Sequence, residues 1–122
     1  MKVIKKVHEV SLCKNLLAVV LKNIPTTASV QTISHIYLDI GQLLAIDIET
    51  LRFAFRAVAQ DTPAAKAHLE IQEISGQGRC STCQCVTNFP QYYTACPSCG
   101  NFTLEVIQGE ELSVRAIKME AI

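Results

Sequence analysis

Residues 79–100 read Arg79-Cys80-Ser81-Thr82-Cys83-Gln84-Cys85-Val86-Thr87-Asn88-Phe89-Pro90-Gln91-Tyr92-Tyr93-Thr94-Ala95-Cys96-Pro97-Ser98-Cys99-Gly100. The stretch holds two paired-thiol turns, Cys80-x2-Cys83 and Cys96-x2-Cys99, separated by twelve residues. A tetrahedral ion needs four soft ligands about one small sphere, and two residues between cysteines let a tight turn aim both sulfurs inward. Pro97 supports the second turn and Gly100 permits the backbone reversal behind it. The separation is slightly shorter than in the standard zinc ribbon, but the doubled motif is specific. Four thiolates leave no position for water or substrate, so the expected zinc is structural and supplies most of the folding energy of its segment. Iron in a four-thiolate site satisfies the same geometry. The absence of Trp and the scarcity of acids in this loop speak against an electron carrier. Cys85 reads as a free thiol beside the site, because one intervening residue suits the turn poorly.

Outward from this segment the pattern changes. Gly76 and Gly78 flank Gln77 and mark a boundary, preceded by a strand-like stretch at 67–74 with Leu69 and Ile71 as its apolar positions. On the far side, Phe102, Leu104 and Val106 read as a strand, Gln108-Gly109-Glu110 as a turn, and 112–119 as a core strand. The partners of that last strand are expected in the sheet formed before residue 75. Nearer the N-terminus, Leu12, Leu16, Leu17, Val19 and Val20 predict a helix over 9–22, stopped by Pro25. Cys13 falls inside it as a small buried hydrophobe. Alternation of Ile36, Leu38 and Ile40 predicts a strand over 30–40 that Gly41 breaks. Leu51, Ala54, Phe55 and Val58 predict a second helix over 48–59, with Asp47 at its N-cap. The expected fold is therefore α+β. A small α/β domain, two helices on a mainly antiparallel sheet, spans 7–75 plus 107–122, and a zinc-ribbon-like domain is inserted at 76–106.

Composition removes several function classes. The 122 residues carry 11 basic and 11 acidic side chains, and 49% are hydrophobic. Such a chain is neither a disordered tail nor a coat for nucleic acid or anionic lipid. Six Cys amount to about 5%, below the density of a disulfide scaffold. No apolar run follows Lys5 and Lys6 as a secretory leader requires, and none reaches the length of a membrane span. A cytoplasmic, reducing compartment is expected, where clustered Cys mean metal rather than disulfides. A zinc-ribbon module for nucleic acid or for protein interaction is the alternative function. Nucleic acid would require Lys or Arg, and none lies between Cys80 and Cys99. Phe89, Tyr92 and Tyr93 read instead as the small core of the ribbon. His35 and His68 read as surface or core residues rather than ligands. His8 adjoins Glu9 at the head of a helix; imidazole suits nickel or copper, but the pair alone is a weak motif.

Val7-His8-Glu9-Val10-Ser11-Leu12 resembles the opening of the HypA/HybF family of hydrogenase-maturation nickel metallochaperones. Ile40-Gly41-Gln42-Leu43, Leu51-Arg52-Phe53-Ala54-Phe55, Leu69-Glu70-Ile71 before the double CxxC, Gly109-Glu110-Glu111-Leu112 and Ile117-Lys118-Met119-Glu120 resemble further family segments, in order. The resemblance covers 7–120. It implies a protein that is not an enzyme, with structural zinc on Cys80, Cys83, Cys96 and Cys99. It also implies nickel held by His8 with Glu9 and nearby backbone. The nickel is cargo for the large-subunit precursor of a [NiFe]-hydrogenase, handed on with a nickel-handling GTPase, HypB. The chain has no phosphate-binding Gly loop followed by Lys-Ser/Thr, so GTP hydrolysis falls to that partner. Asp47 matches a position tied to nickel in some members. Val7 stands at the family's Met position behind six residues, which reads as an N-terminal extension. Translation from Val7 would restore the free amine that the family's site uses.

Overall fold

The computed structural model describes residues 9–24 and 31–121. The expectations for His8 and Pro25 lie outside the described residues. Among the described residues, two α-helices, a short 3-10 turn at Gln42–Leu44 and six strands form, the strands in two three-stranded sheets. By contact, the chain divides into two compact units. One takes the described residues up to Asp39, Ile46–Gln72 and the chain from Leu112; the other takes Ile40–Ala45 and Glu73–Glu111.

In the first unit, α1 spans Glu9–Lys22 and α2 spans Ile48–Val58, and they pack on each other. The face that α1 buries is Leu12, Cys13, Leu16 and Val20, a stripe at three- and four-residue spacing; Leu17 and Val19 sit half-buried at its margins. Cys13 is fully buried, its thiol 3.4 Å from the Leu51 carbonyl of α2. Helix α2 buries Leu51, Ala54 and Phe55, with Val58 half-buried one turn later. Each fully buried Leu, Val or Phe side chain contributes about 1.5–3 kcal/mol by leaving water. The cap of α2 is Asp47, whose Oδ1 accepts from the Thr50 N–H at 3.1 Å.

Strand β1 is Gln31–Gly41, β2 is His68–Ile74 and β6 is Leu112–Ala121, ordered β2-β1-β6. The last strand thus returns to pair with the first, as its apolar pattern requires. The Gly41 N–H donates to the Glu111 carbonyl at 2.6 Å and the Ser34 hydroxyl to the Lys118 carbonyl at 3.2 Å. Partner numbers rise as β1 numbers fall, so β1 and β6 run antiparallel. Ile36, Leu38 and Ile40 are buried, while His35, Tyr37 and Asp39 line the other, half-exposed face. Gly41 ends β1 from inside the strand, a position later than the sequence pattern places the break.

The second unit contains β3 (Gln77–Cys80), β4 (Val86–Asn88) and β5 (Leu104–Gln108), ordered β4-β3-β5. Both pairings are antiparallel: Gly78 lies opposite Thr87 on one side and Val106 on the other. Strands β3 and β4, four and three residues long, are too short to show a periodicity in the sequence. Phe102 lies outside β5 and is largely exposed, against its expected strand role. Residues 40–45 join this unit through backbone. The Leu43 N–H donates to the Gly109 carbonyl at 2.9 Å, and the Gln42 Oε1 accepts from the Gly76 N–H at 2.9 Å. Gly109, at φ 115°, sits where a Cβ would strike the Gly76 Cα, and a Cβ on Gly41 would strike the Gly109 carbonyl.

Candidate metal centre

Each cysteine pair is carried on the same kind of turn. In the first, the Gln84 N–H donates to the Cys80 carbonyl at 2.8 Å and the Cys80 N–H to the Cys85 carbonyl at 2.9 Å. In the second, the Gly100 N–H donates to the Cys96 carbonyl at 2.7 Å and the Cys96 N–H to the Asn101 carbonyl at 2.9 Å. The residue after the second thiol is left-handed in both, Gln84 at φ 65° and Gly100 at φ 77°. The two loops are thus copies of one backbone design, and Cys85 occupies the place that Asn101 takes in the second. That place supplies a carbonyl to close the turn. The sulfur cluster consists of the other four thiols.

Those four sulfurs, of Cys80, Cys83, Cys96 and Cys99, all lie within 4.8 Å of one another. Between the turns, Cys80 lies 3.6 Å from Cys99 and Cys83 lies 3.6 Å from Cys96. Zinc–sulfur bonds of about 2.3 Å at tetrahedral angles place sulfurs about 3.8 Å apart. The cluster therefore fits a four-thiolate ion with small adjustments. Cys80 and Cys96 are buried, while Cys99 is exposed.

The protonation chemistry of the thiols is split within each turn. The Thr103 hydroxyl, 3.3 Å from the Cys80 sulfur, and the backbone N–H of Cys83 hold Cys80 down to about 6. Cys96 is lowered too, by the N–H groups of Cys99 and then Ser98. For Cys83, the N–H of Cys85 pulls downward, but the Cys85, Cys96 and Cys80 side chains and burial push it up to about 12. For Cys99, the Asn101 N–H pulls downward, and burial with the neighbouring Cys80 and Cys96 thiols outweighs it. Each turn thus sets one thiol low and its neighbour high, a conflict that arises from hydrogen bonds, neighbouring thiols and burial. A dication removes that conflict and favours all four thiolates together.

Thr103 escapes notice in the sequence. It follows the second turn, and its carbonyl accepts from the Ser81 N–H at 3.1 Å, so it also braces the first turn. Only the spacing from Cys99 hints at it. Of the three ribbon aromatics, Phe89 is buried and meets Tyr92 edge-on, whereas Tyr93 is 90% exposed. The unit is too small to enclose all three rings, which corrects the expectation that they form its core. Among the described residues, these four thiols are the one cluster of three or more metal-binding side chains. His35 and His68 stand in the first unit. The side chain of Glu9 lies outside the described placements, and Asp47 is seen as the α2 cap.

A family described as "Hydrogenase/urease nickel incorporation, metallochaperone" matches residues 7–119. The chain belongs to the HypA family. The hydrogenase maturation factor HypA of Legionella pneumophila (strain Corby) is 39% identical over 113 residues, covering 93% of this chain and 99% of that protein. The factor from Acidithiobacillus ferrooxidans (strain ATCC 53993 / BNL-5-31) is 38% identical over the same shares. The solution structure of the Ni metallochaperone HypA from Helicobacter pylori superposes with a TM-score of 0.66 at 22% identity, covering 95% of this chain and all of that one. That likeness shows the HypA fold. The family is one of metallochaperones rather than enzymes. Among the described residues, no helix is long and apolar enough to cross a membrane.

Proposed function

We propose that this HypA-family chain binds Ni(II) for insertion into the large subunit of a [NiFe]-hydrogenase, with zinc resident on Cys80, Cys83, Cys96 and Cys99. The observation that carries the reading is the family match over 7–119, which includes His8 and Glu9 together with all four cysteines. Chemistry supports a division of labour between the two donor sets. Four thiolates within 4.8 Å close around an ion and hold it, as a structural site must. A cargo ion has to leave, which calls for fewer and harder donors. His8 and Glu9, adjacent in the sequence, supply an imidazole and a carboxylate, a set suited to exchangeable nickel. On this reading the chain acts in the cytoplasm with the GTPase HypB and the hydrogenase precursor.

The test is His8→Ala in the zinc-loaded protein. The tighter nickel-binding event is expected to disappear in calorimetry, while one zinc per chain and the far-UV spectrum persist. Nickel binding of undiminished affinity in His8→Ala overturns the assigned site.

A further inference from the structure

We propose that His35 and His68 form a separate metal site, a two-imidazole clamp for a borderline divalent cation such as Cu(II) or Ni(II). The residues lie on neighbouring strands, His35 within β1 and His68 at the first position of β2. Their ring centroids are 5.6 Å apart with the planes tilted by 39°. Metal–nitrogen bonds of about 2.1 Å, with each ring centre about 1.1 Å further, put two ligated rings about 4.5–5.6 Å apart for bond angles of about 90–120°. The observed separation lies at the upper end of that range, so the rings need only turn inward.

The hydrogen bonds around His35 prepare it as a ligand. The Ser34 hydroxyl donates its one proton to the Lys118 carbonyl at 3.2 Å. Its oxygen, 3.0 Å from the His35 Nδ1, then acts as an acceptor, so Nδ1 carries the hydrogen. That tautomer leaves the Nε2 lone pair unspent. Metal-binding histidines are held in the same way, one ring nitrogen donating to a fixed oxygen while the other ligates. Tyr37 stacks on His35 at 6.1 Å and 17°, which limits rotation of the ring. His68 is exposed and keeps its ring accessible.

The surrounding charges set the strength. Arg115 lies over Tyr37 at 5.6 Å and pairs with Asp39 at 3.5 Å, so its charge is engaged away from the imidazoles. Arg52 donates to the Leu69 carbonyl, and with Arg56 it lines a cavity that His68 also borders. Those two guanidiniums oppose a dication. Among the described residues no third His, Cys, Asp or Glu completes a cluster here, so water fills the remaining positions. The clamp therefore binds loosely and exchanges quickly, with Cu(II) held more tightly than Ni(II).

The inference stands independently of the nickel reading at His8, and the experiment separates them. Full-length, zinc-loaded His8→Ala protein is titrated with Cu(II) and Ni(II), and paramagnetic broadening of its amide resonances is followed. Broadening centred on Ser34–Tyr37 and His68–Leu69 is expected, with at least a tenfold loss of affinity in His35→Gln and in His68→Gln. In the otherwise unaltered chain, Zn(II) is expected to shift the Nε2 resonance of His35 and leave its Nδ1 resonance in place. No broadening at these residues, or broadening that survives His35→Gln/His68→Gln, overturns the clamp whatever happens at His8.

Discussion

Tyr92 donates to the Glu110 Oε2 at 2.5 Å, and this contact sets its titration. The hydrogen bond to a carboxylate favours the neutral phenol, and burial with the negative charge of Glu110 adds to it, so Tyr92 is pushed up to about 12. Because the folded value lies above the ordinary one, the stabilisation is present in full at neutral pH. It is lost as pH rises through about 12. In an absorbance titration of phenolate formation, the difference between the parent and Tyr92→Phe is expected to rise near pH 12; a difference curve complete by pH 10 contradicts the contact. At this scale the sequence disclosed the four cysteines that cluster, since their spacing alone encodes the turns. It did not disclose Thr103 or the left-handed Gln84, because neither residue type advertises a sulfur contact or a positive φ.

Between residues and domains, element length governs legibility. Helices of 14 and 11 residues and a strand of 11 residues carry enough repeats for their period to show, and their bounds match the reading within a residue or two. Asp47 was legible as a cap because an acid before an apolar period is a local signal, and it does accept from Thr50. The contact among residues 41, 76 and 109 is of another kind. Three segments far apart in sequence approach through backbone, and only the absence of side chains allows it. Gly109→Ala would place a Cβ against the Gly76 Cα at a φ of 115°. The expected cost is about 1–3 kcal/mol, read as a lowered denaturation midpoint of the zinc-loaded protein. An unchanged midpoint would remove the close approach as a source of stability.

The whole molecule divides its stability between two mechanisms. The first unit buries aliphatic and aromatic side chains of α1, α2 and the β2-β1-β6 sheet. The second has short strands, exposed Tyr93 and Phe102, and a four-thiol cluster. A segment of that make-up is expected to draw its folding energy from metal. Stripping the protein with a strong chelator is expected to open 73–111 to protease while β1, β6 and both helices keep their amide protection. Equal loss of protection in both units would show one cooperative structure instead. The sequence by itself determined the helices, the long strands, the metal-binding pairs and the return of the last strand, because each is written in local period or spacing. Tertiary structure alone decided that residues 40–45 belong with 73–111, that the Cys85 carbonyl closes the first turn, and that His35 meets His68. Those outcomes depend on backbone approach and strand register between distant segments, and no local pattern of residue types records either.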